Sequence, residues 1–191
     1  MKWNIYRLVA FLLLIALSVG FGFAYDGVAT AIEKNQYPKD PSTTPLIVKN
    51  AEAYSIPETV LFATVRTQSR FVSNAVSEDG RIGLMQLHPD VFAFICTELL
   101  GKSQTESGML YDPETNLEAG AAYISYLYDR YGVWDTVYAA YCAGTEAVDR
   151  WVSTPELVTP QGTLKDIPDP IAEKYVKDMR RAVELYHELY Y

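Results

Sequence analysis

Cysteine and histidine are scarce in this 191-residue chain, with two of each. Cys96 and Cys142 are too few for a disulfide framework, and their positions alone do not say whether they meet. His88 and His187 stand far from any Cys-x-x-Cys or His-x-x-x-His pattern, so no metal site is expected. The chain has no glycine-rich loop of the phosphate-cradling kind and no Gly-x-Ser-x-Gly turn, and no cofactor is expected. Acidic residues are missing from the first 25 positions. All 24 lie beyond Tyr25, against 14 basic ones, so residues 26–191 carry a net charge of −10. That balance excludes nucleic acid as a partner and argues against an anionic lipid surface.

Apolar residues make up 49% of the chain and charged ones 21%, the composition of a globular protein. Tyrosine is abundant, with 15 against 7 Phe. A ring with a polar rim suits carbohydrate or interface contacts, and it suits a tyrosine-rich helical core equally well. Leu8 to Tyr25 is an uncharged run preceded by Lys2 and Arg7. As a helix it would span roughly 27 Å, close to the thickness of a bilayer's hydrocarbon. The positive flank favours a cytoplasmic N-terminus and an exported remainder. Residues 1–25 thus read as a signal anchor holding residues 8–25 in the cytoplasmic membrane. A signal peptide cleaved after Ala24 is the competing reading, because Gly22 and Ala24 are small and suitably spaced. Residues 26–45, with Pro38, Pro41 and Pro45, read as a linker, and 46–191 as one domain.

Within that domain the pattern is helical. A helix is predicted from Pro57 to about Phe71, and another from Pro89 to Gly101. Asp112 and Pro113 open a third, with Leu117, Ala121, Ile124, Leu127/Tyr128 and Tyr131 on one face and Gly132 as its stop. Shorter helices follow over Trp134–Tyr141 and from Thr145. The last helix carries a stripe of Ile171, Tyr175, Met179, Ala182/Val183, Tyr186 and Tyr190. Asn74–Arg81 is a polar loop, and Arg81–Leu87 has room for a small β-hairpin.

Leu61, Thr64/Val65, Gln68 and Phe71 fall on one face of the helix from Pro57, so Gln68 ends an apolar stripe. A polar group there requires a partner or a cavity. Read from this helix alone, it is either a core glutamine satisfied by backbone groups or a cleft residue.

An ordered series of short motifs surrounds it. Val65-Arg66-Thr67-Gln68-Ser69-Arg70-Phe71 is followed by Asn74-Ala75-Val76-Ser77 and Gly83-Leu84-Met85-Gln86-Leu87-His88-Pro89. Tyr111-Asp112-Pro113 comes next, with Asn116, Gly120 and Tyr123, and then Ala139-Ala140-Tyr141-Cys142-Ala143-Gly144. Val148, Trp151, Ile167-Pro168 and Tyr175-Val176 complete the series. This set resembles the SLT-type lytic transglycosylases, relatives of goose-type lysozyme, over about residues 46–190. The resemblance implies a mainly α, lysozyme-like domain with at most a small β-hairpin, preceded here by the transmembrane or signal helix.

It also implies a reaction. The family cuts peptidoglycan between N-acetylmuramic acid and N-acetylglucosamine and leaves a 1,6-anhydro sugar. One glutamic acid protonates the leaving oxygen and then, as carboxylate, takes the proton of the sugar's own C6 hydroxyl. The internal nucleophile removes the need for the second carboxyl that most glycosidases use. Gln68 occupies the position of that acid. An amide donates no proton at ordinary pH, and general acid–base help is worth about 10²–10⁴-fold. The resemblance places Ser69, Ser77, Gln86, His88, Tyr123, Tyr141 and Cys142 around the substrate. Three departures from the family stand beside Gln68. His88 stands for the usual methionine, Cys142 for the asparagine of Tyr-Asn-Ala-Gly, and Thr145-Glu146 for Pro-Gly. Glu78, Asp79 and Glu146 read as solvated turn or helix-start charges. The expected partners are peptidoglycan strands, to whose acidic stem peptides the net negative charge offers no attraction. Three functions are compatible with this pattern: a weakened or inactive transglycosylase-type enzyme, a glycan-holding pseudoenzyme, or a structural part of an envelope assembly.

Overall fold

The computed structural model describes residues 7, 11, 25, 27–103, 105–161 and 163–191. The run from Leu8 to Tyr25 read as an anchor or signal lies, apart from Phe11 and Tyr25, outside them. Among the described residues no helix is long and apolar enough to cross a membrane. The chain divides into two compact units, residues 1–38 and 39–191. In the first, within the stretch read as a linker, residues 27–36 are helical.

The second unit is mainly helical. Its elements are α1 (Thr44–Ala53), α2 (Glu58–Gln68), α3 (Pro89–Phe94), α4 (Pro113–Tyr131), α5 (Trp134–Ala143), α6 (Thr145–Val152) and α7 (Pro170–Tyr190). Their ends follow local chemistry. Asp112 accepts the Thr115 N–H, and Asp169 accepts those of Ile171 and Ala172, so α4 and α7 begin on capping carboxylates with proline in the first turn. Gly132, at φ +68°, closes α4.

Helix α7 packs along α2 and α5. Phe62 stacks on Tyr186 at 5.4 Å, and Leu61, Val65, Val176, Met179 and Val137 are buried around them. The stripe expected on α7 is displaced. Ile171 is 74% exposed, and the buried positions are Ala172, Val176, Met179, Ala182, Leu185 and Tyr186. Tyr175 is half-buried at the margin of this face. Two ion pairs brace the frame from outside. Arg180 grips Asp135 with two bonds of 2.6 and 2.5 Å, and Arg130 meets Asp149 at 2.6 Å.

Helix α2 stops at Gln68 rather than Phe71. Arg70 and Phe71 have φ of +52° and +66°, so the chain reverses directly after the helix. Left-handed backbone at two successive non-glycine residues cannot continue a helix, whatever the apolar periodicity suggests. The helix from Pro89 changes register at Ile95–Leu99, where the bonds are π-helical, before Gly101 at φ +61° ends it. The hairpin considered at Arg81–Leu87 is not a pair of strands. Val76 bridges Ile82 and Ile82 bridges Leu87 as isolated contacts.

What shapes that segment is Asn116 on α4, fully buried. Its Oδ1 accepts the Met85 N–H at 2.7 Å, and its Nδ2 donates to the carbonyls of Ile82 (3.0 Å) and Leu110 (2.9 Å). The approach depends on two glycines. A Cβ on Gly83, itself at φ +84°, would lie 2.1 Å from Asn116 Nδ2, and one on Gly120 would lie 2.7 Å from the Met85 side chain. Replacing Asn116 by Ala leaves the buried Met85 N–H and the Leu110 carbonyl without a partner, at about 1–3 kcal/mol each, while the Ile82 carbonyl keeps the Leu87 N–H at 3.1 Å. Urea unfolding of Asn116→Ala should therefore show a loss of about 2 kcal/mol or more. Gly120→Ala, opposed by a pliable methionine, should lose about 1–3 kcal/mol. A change below about 1 kcal/mol in Asn116→Ala would contradict the role given to this residue.

Candidate functional site

The segment held by Asn116 forms one wall of a cavity of about 230 Å³, and the end of α5 forms the other. Its lining contains Gln86, His88, Tyr123, Tyr141 and Cys142, all singled out from the sequence, together with Arg81 and the Ala143-Gly144 turn. Gln68, Ser69 and Ser77 do not line it.

Each residue's hydrogen bonds set what it can offer a ligand. Tyr141 is buried, and its hydroxyl donates to the Met85 carbonyl at 2.7 Å. Burial holds its pKa well above the ordinary phenol value. Tyr123 leans against Tyr141 with ring centroids 5.7 Å apart, and burial pushes its pKa up to about 12. Both rings stay neutral at any physiological pH. Gln86 has φ +51°, an uncommon conformation for a side-chain-bearing residue. Its amide compensates by donating to the carbonyls of Ala75 (3.0 Å) and Gly83 (2.8 Å), so its N–H groups serve the turn. His88 caps α3 by accepting the Asp90 N–H on Nδ1 at 3.3 Å.

The two serines are used internally. Ser69 is buried and donates to the Val65 carbonyl at 3.2 Å, the back-bond of a helix-end hydroxyl. Ser77 donates to Asp79 and accepts the Arg81 N–H at 2.9 Å. Asp79 also accepts from Arg81 Nε at 2.9 Å. The Ser77 hydroxyl, then the Arg81 guanidinium, hold the Asp79 carboxyl below its usual range. Arg81 reaches across to the Cys142 carbonyl at 3.2 Å and joins the two walls.

Gln68 is half-buried at the end of α2, and its Nε2 donates to the Tyr175 hydroxyl at 3.0 Å. Its partner is a side chain on α7, not the backbone. Burial raises the pKa of Tyr175, with Gln68 opposing that rise, and the charges of Cys142, Tyr138 and Arg81 reach it. The Gln68–Tyr175 pair is thus within electrostatic reach of Arg81 and Cys142 without itself lining the cavity. None of Glu78, Asp79 or Glu146 lines that cavity, and Glu78 and Glu146 are exposed.

Sequence reasoning passed over Arg81 as one charge in a polar loop and Tyr175 as part of a core stripe. A signal for Arg81 was present. It is the one cation between Ser77 and His88, and it directly precedes the buried run from Ile82 to Leu87. The two cysteines are not bonded to each other: both thiols are free.

Helices arranged this way around a cleft define a lysozyme-like fold. A family model described as the transglycosylase SLT domain matches residues 45–158, more than half of the chain, and the chain belongs to that family. The membrane-bound lytic murein transglycosylase C of Yersinia pestis (strain Pestoides F) is 39% identical over 88 residues, 46% of this chain and 25% of that protein. The 70-kDa soluble lytic transglycosylase of Escherichia coli superposes with a TM-score of 0.73 at 25% identity, over 82% of this chain and 25% of that one. An inactive glutamate-to-glutamine mutant of the lytic transglycosylase Slt from Pseudomonas aeruginosa gives a TM-score of 0.69 at 26% identity, over 80% and 25%. The chain thus spans about a quarter of the length of these relatives.

Cys142 offers a direct probe of the site's polarity. Burial raises its thiol pKa, and Arg81 only partly offsets that. Alkylation by iodoacetamide, followed by intact mass in a Cys96→Ser background, should reach half its maximal rate above the ordinary thiol pKa of about 8.5. A midpoint at or below that value would contradict a buried, weakly offset thiol.

Proposed function

We propose that this chain is a peptidoglycan-binding member of its family whose cleft holds glycan strands and whose cutting step is disabled at Gln68. The relatives are named lytic murein transglycosylases, and murein glycan is the ligand class we assign to the cleft. In that reaction one carboxyl must first donate a proton and later remove one. The position suits such a group: it is half-buried, at the end of an apolar helix face, where a carboxylic acid stays protonated toward neutral pH. Gln68 has nearly the shape of a glutamate and none of its proton chemistry.

The observation that carries the proposal is the Gln68–Tyr175 hydrogen bond of 3.0 Å. The amide is settled there as a donor to a neutral phenol, and no carboxyl lines the neighbouring cavity to take over the proton transfers. The Pseudomonas relative loses activity on a glutamate-to-glutamine change, which is the direction this reading requires. Cys142 and His88 are further departures beside the same site, and they fit a cleft released from catalytic duty. In this reading Tyr123, Tyr141 and Gln86 wall the glycan path, Ser77 acts through the loop that carries Arg81, and residues 8–25 anchor the domain on the outer face of the cytoplasmic membrane.

Gln68→Glu tests the proposal. Digestion of purified peptidoglycan, read by mass spectrometry for 1,6-anhydro muropeptides, should show release at least about 10²-fold above the wild-type chain. If wild type already releases anhydro products at the rate of the variant, the assignment of Gln68 as the disabling residue is wrong.

A further inference from the structure

Arg81 is the one fixed charge in the lining of the cavity, and it is positive, in a chain whose residues 26–191 carry −10. Its side chain is 30% exposed, accessible but not free to wander. Three contacts hold it: its backbone N–H on Ser77 Oγ, its Nε on Asp79, and its Nη2 on the Cys142 carbonyl. Among the described residues no protein atom accepts from Nη1. Its charge also reaches Tyr123, Tyr141, Cys142 and Tyr175. The guanidinium stands in the cavity lining, tied by Nη2 to the Cys142 carbonyl on the facing wall. A planar cation fixed in this way loses little freedom when it binds a carboxylate.

Asp79 is the opposing charge. Its carboxylate takes the Nε edge and is 61% exposed, so water screens it, and one of its oxygens is occupied by Ser77. That leaves Arg81 partly neutralised on the loop side and uncompensated on the Nη1 side.

We propose that Arg81 is a specificity-determining residue that recognises a carboxylate carried on a glycan bound in this cavity. The inference rests on the glycan-binding reading above. A chain of N-acetylhexosamines alone is neutral. In peptidoglycan the negative charge belongs to the muramyl unit, either on the lactyl ether of a strand stripped of peptide or on the attached stem peptide. One cation at one place in the cleft would set the register of the strand by selecting the muramyl residue for the position beside it.

The test uses the full-length chain and five soluble probes in equilibrium titration. These are a muramyl tetrasaccharide with free lactyl carboxylates, the same sugar with those groups as neutral methyl amides, the same sugar bearing stem peptides with their carboxylates free or amidated, and chitotetraose. Wild type should bind a carboxylate form about tenfold tighter than its amide, the worth of one charge-assisted contact. The gap should narrow in high salt. If it appears with the free lactyl groups, the source is the sugar, and if only with the peptide-bearing probe, the source is the stem peptide. Arg81→Met should bring the acid down to the amide's affinity, while Arg81→Lys keeps part of the gap. The wild-type comparison of acid with amide needs no variant to fold. Equal binding of acid and amide in both series, with chitotetraose also bound, overturns the role of Arg81 and leaves glycan binding standing. A gap that survives Arg81→Met overturns it too. If no probe binds, the glycan reading fails and this inference with it.

Discussion

The geometry of the cleft depends on one buried amide. Asn116 takes a backbone N–H from Met85 and gives to two carbonyls, and in doing so it fixes a turn whose own pairing is the isolated Ile82–Leu87 bridge. Everything that lines the near wall is a consequence. Gly83 is there because a side chain would strike Asn116, and Gly120 because one would strike Met85. Gln86 accepts a left-handed backbone because its amide can tie the turn to Ala75 and Gly83. Tyr141 then closes the joint from α5 through the Met85 carbonyl. Buried polar groups of this kind are costly unless fully satisfied, so the network makes the wall either correctly formed or absent.

Onto that wall the chain places an unusual set of groups. The tyrosines are neutral, the serines are used by their own loops, and the position at the end of α2 holds an amide. What remains able to act on a ligand is shape, aromatic surface and the Arg81 cation. These groups suit the glycan-holding role proposed above, and no carboxyl is among those that line the cavity. The half-buried Gln68 amide finds its partner in the Tyr175 hydroxyl.

Much of the frame was legible in the sequence because it rests on short-range rules. Asp112 with Pro113, Gly132 and the alternation of helix and loop read correctly, since caps and stops act within a turn of the chain. The failures came where tertiary contact overrides local pattern. Apolar spacing carried α2 on to Phe71, but the chain reverses at Arg70 to bring the following loop under Asn116. The stripe on α7 was displaced because Tyr175 serves the cleft margin beside Gln68 and Ile171 faces solvent. Of the candidate site, Gln86, His88, Tyr123, Tyr141 and Cys142 do converge on one cavity. The resemblance to a family placed them there, since no periodicity links residues so far apart in the chain. Arg81 was missed because its importance lies in what it spans, the Ser77–Asp79 loop on one side and the Cys142 carbonyl on the other, and spacing does not reveal a bridge.

We propose that the cleft holds glycan without cutting it. The most direct measurement is co-sedimentation of the wild-type protein with insoluble, purified peptidoglycan, with the supernatant analysed by mass spectrometry for released fragments. The expected result is retention in the pellet, reduced by competing soluble muramyl oligosaccharide, and no 1,6-anhydro products in solution. Release of anhydro muropeptides, or a protein that stays wholly in the supernatant, would contradict it.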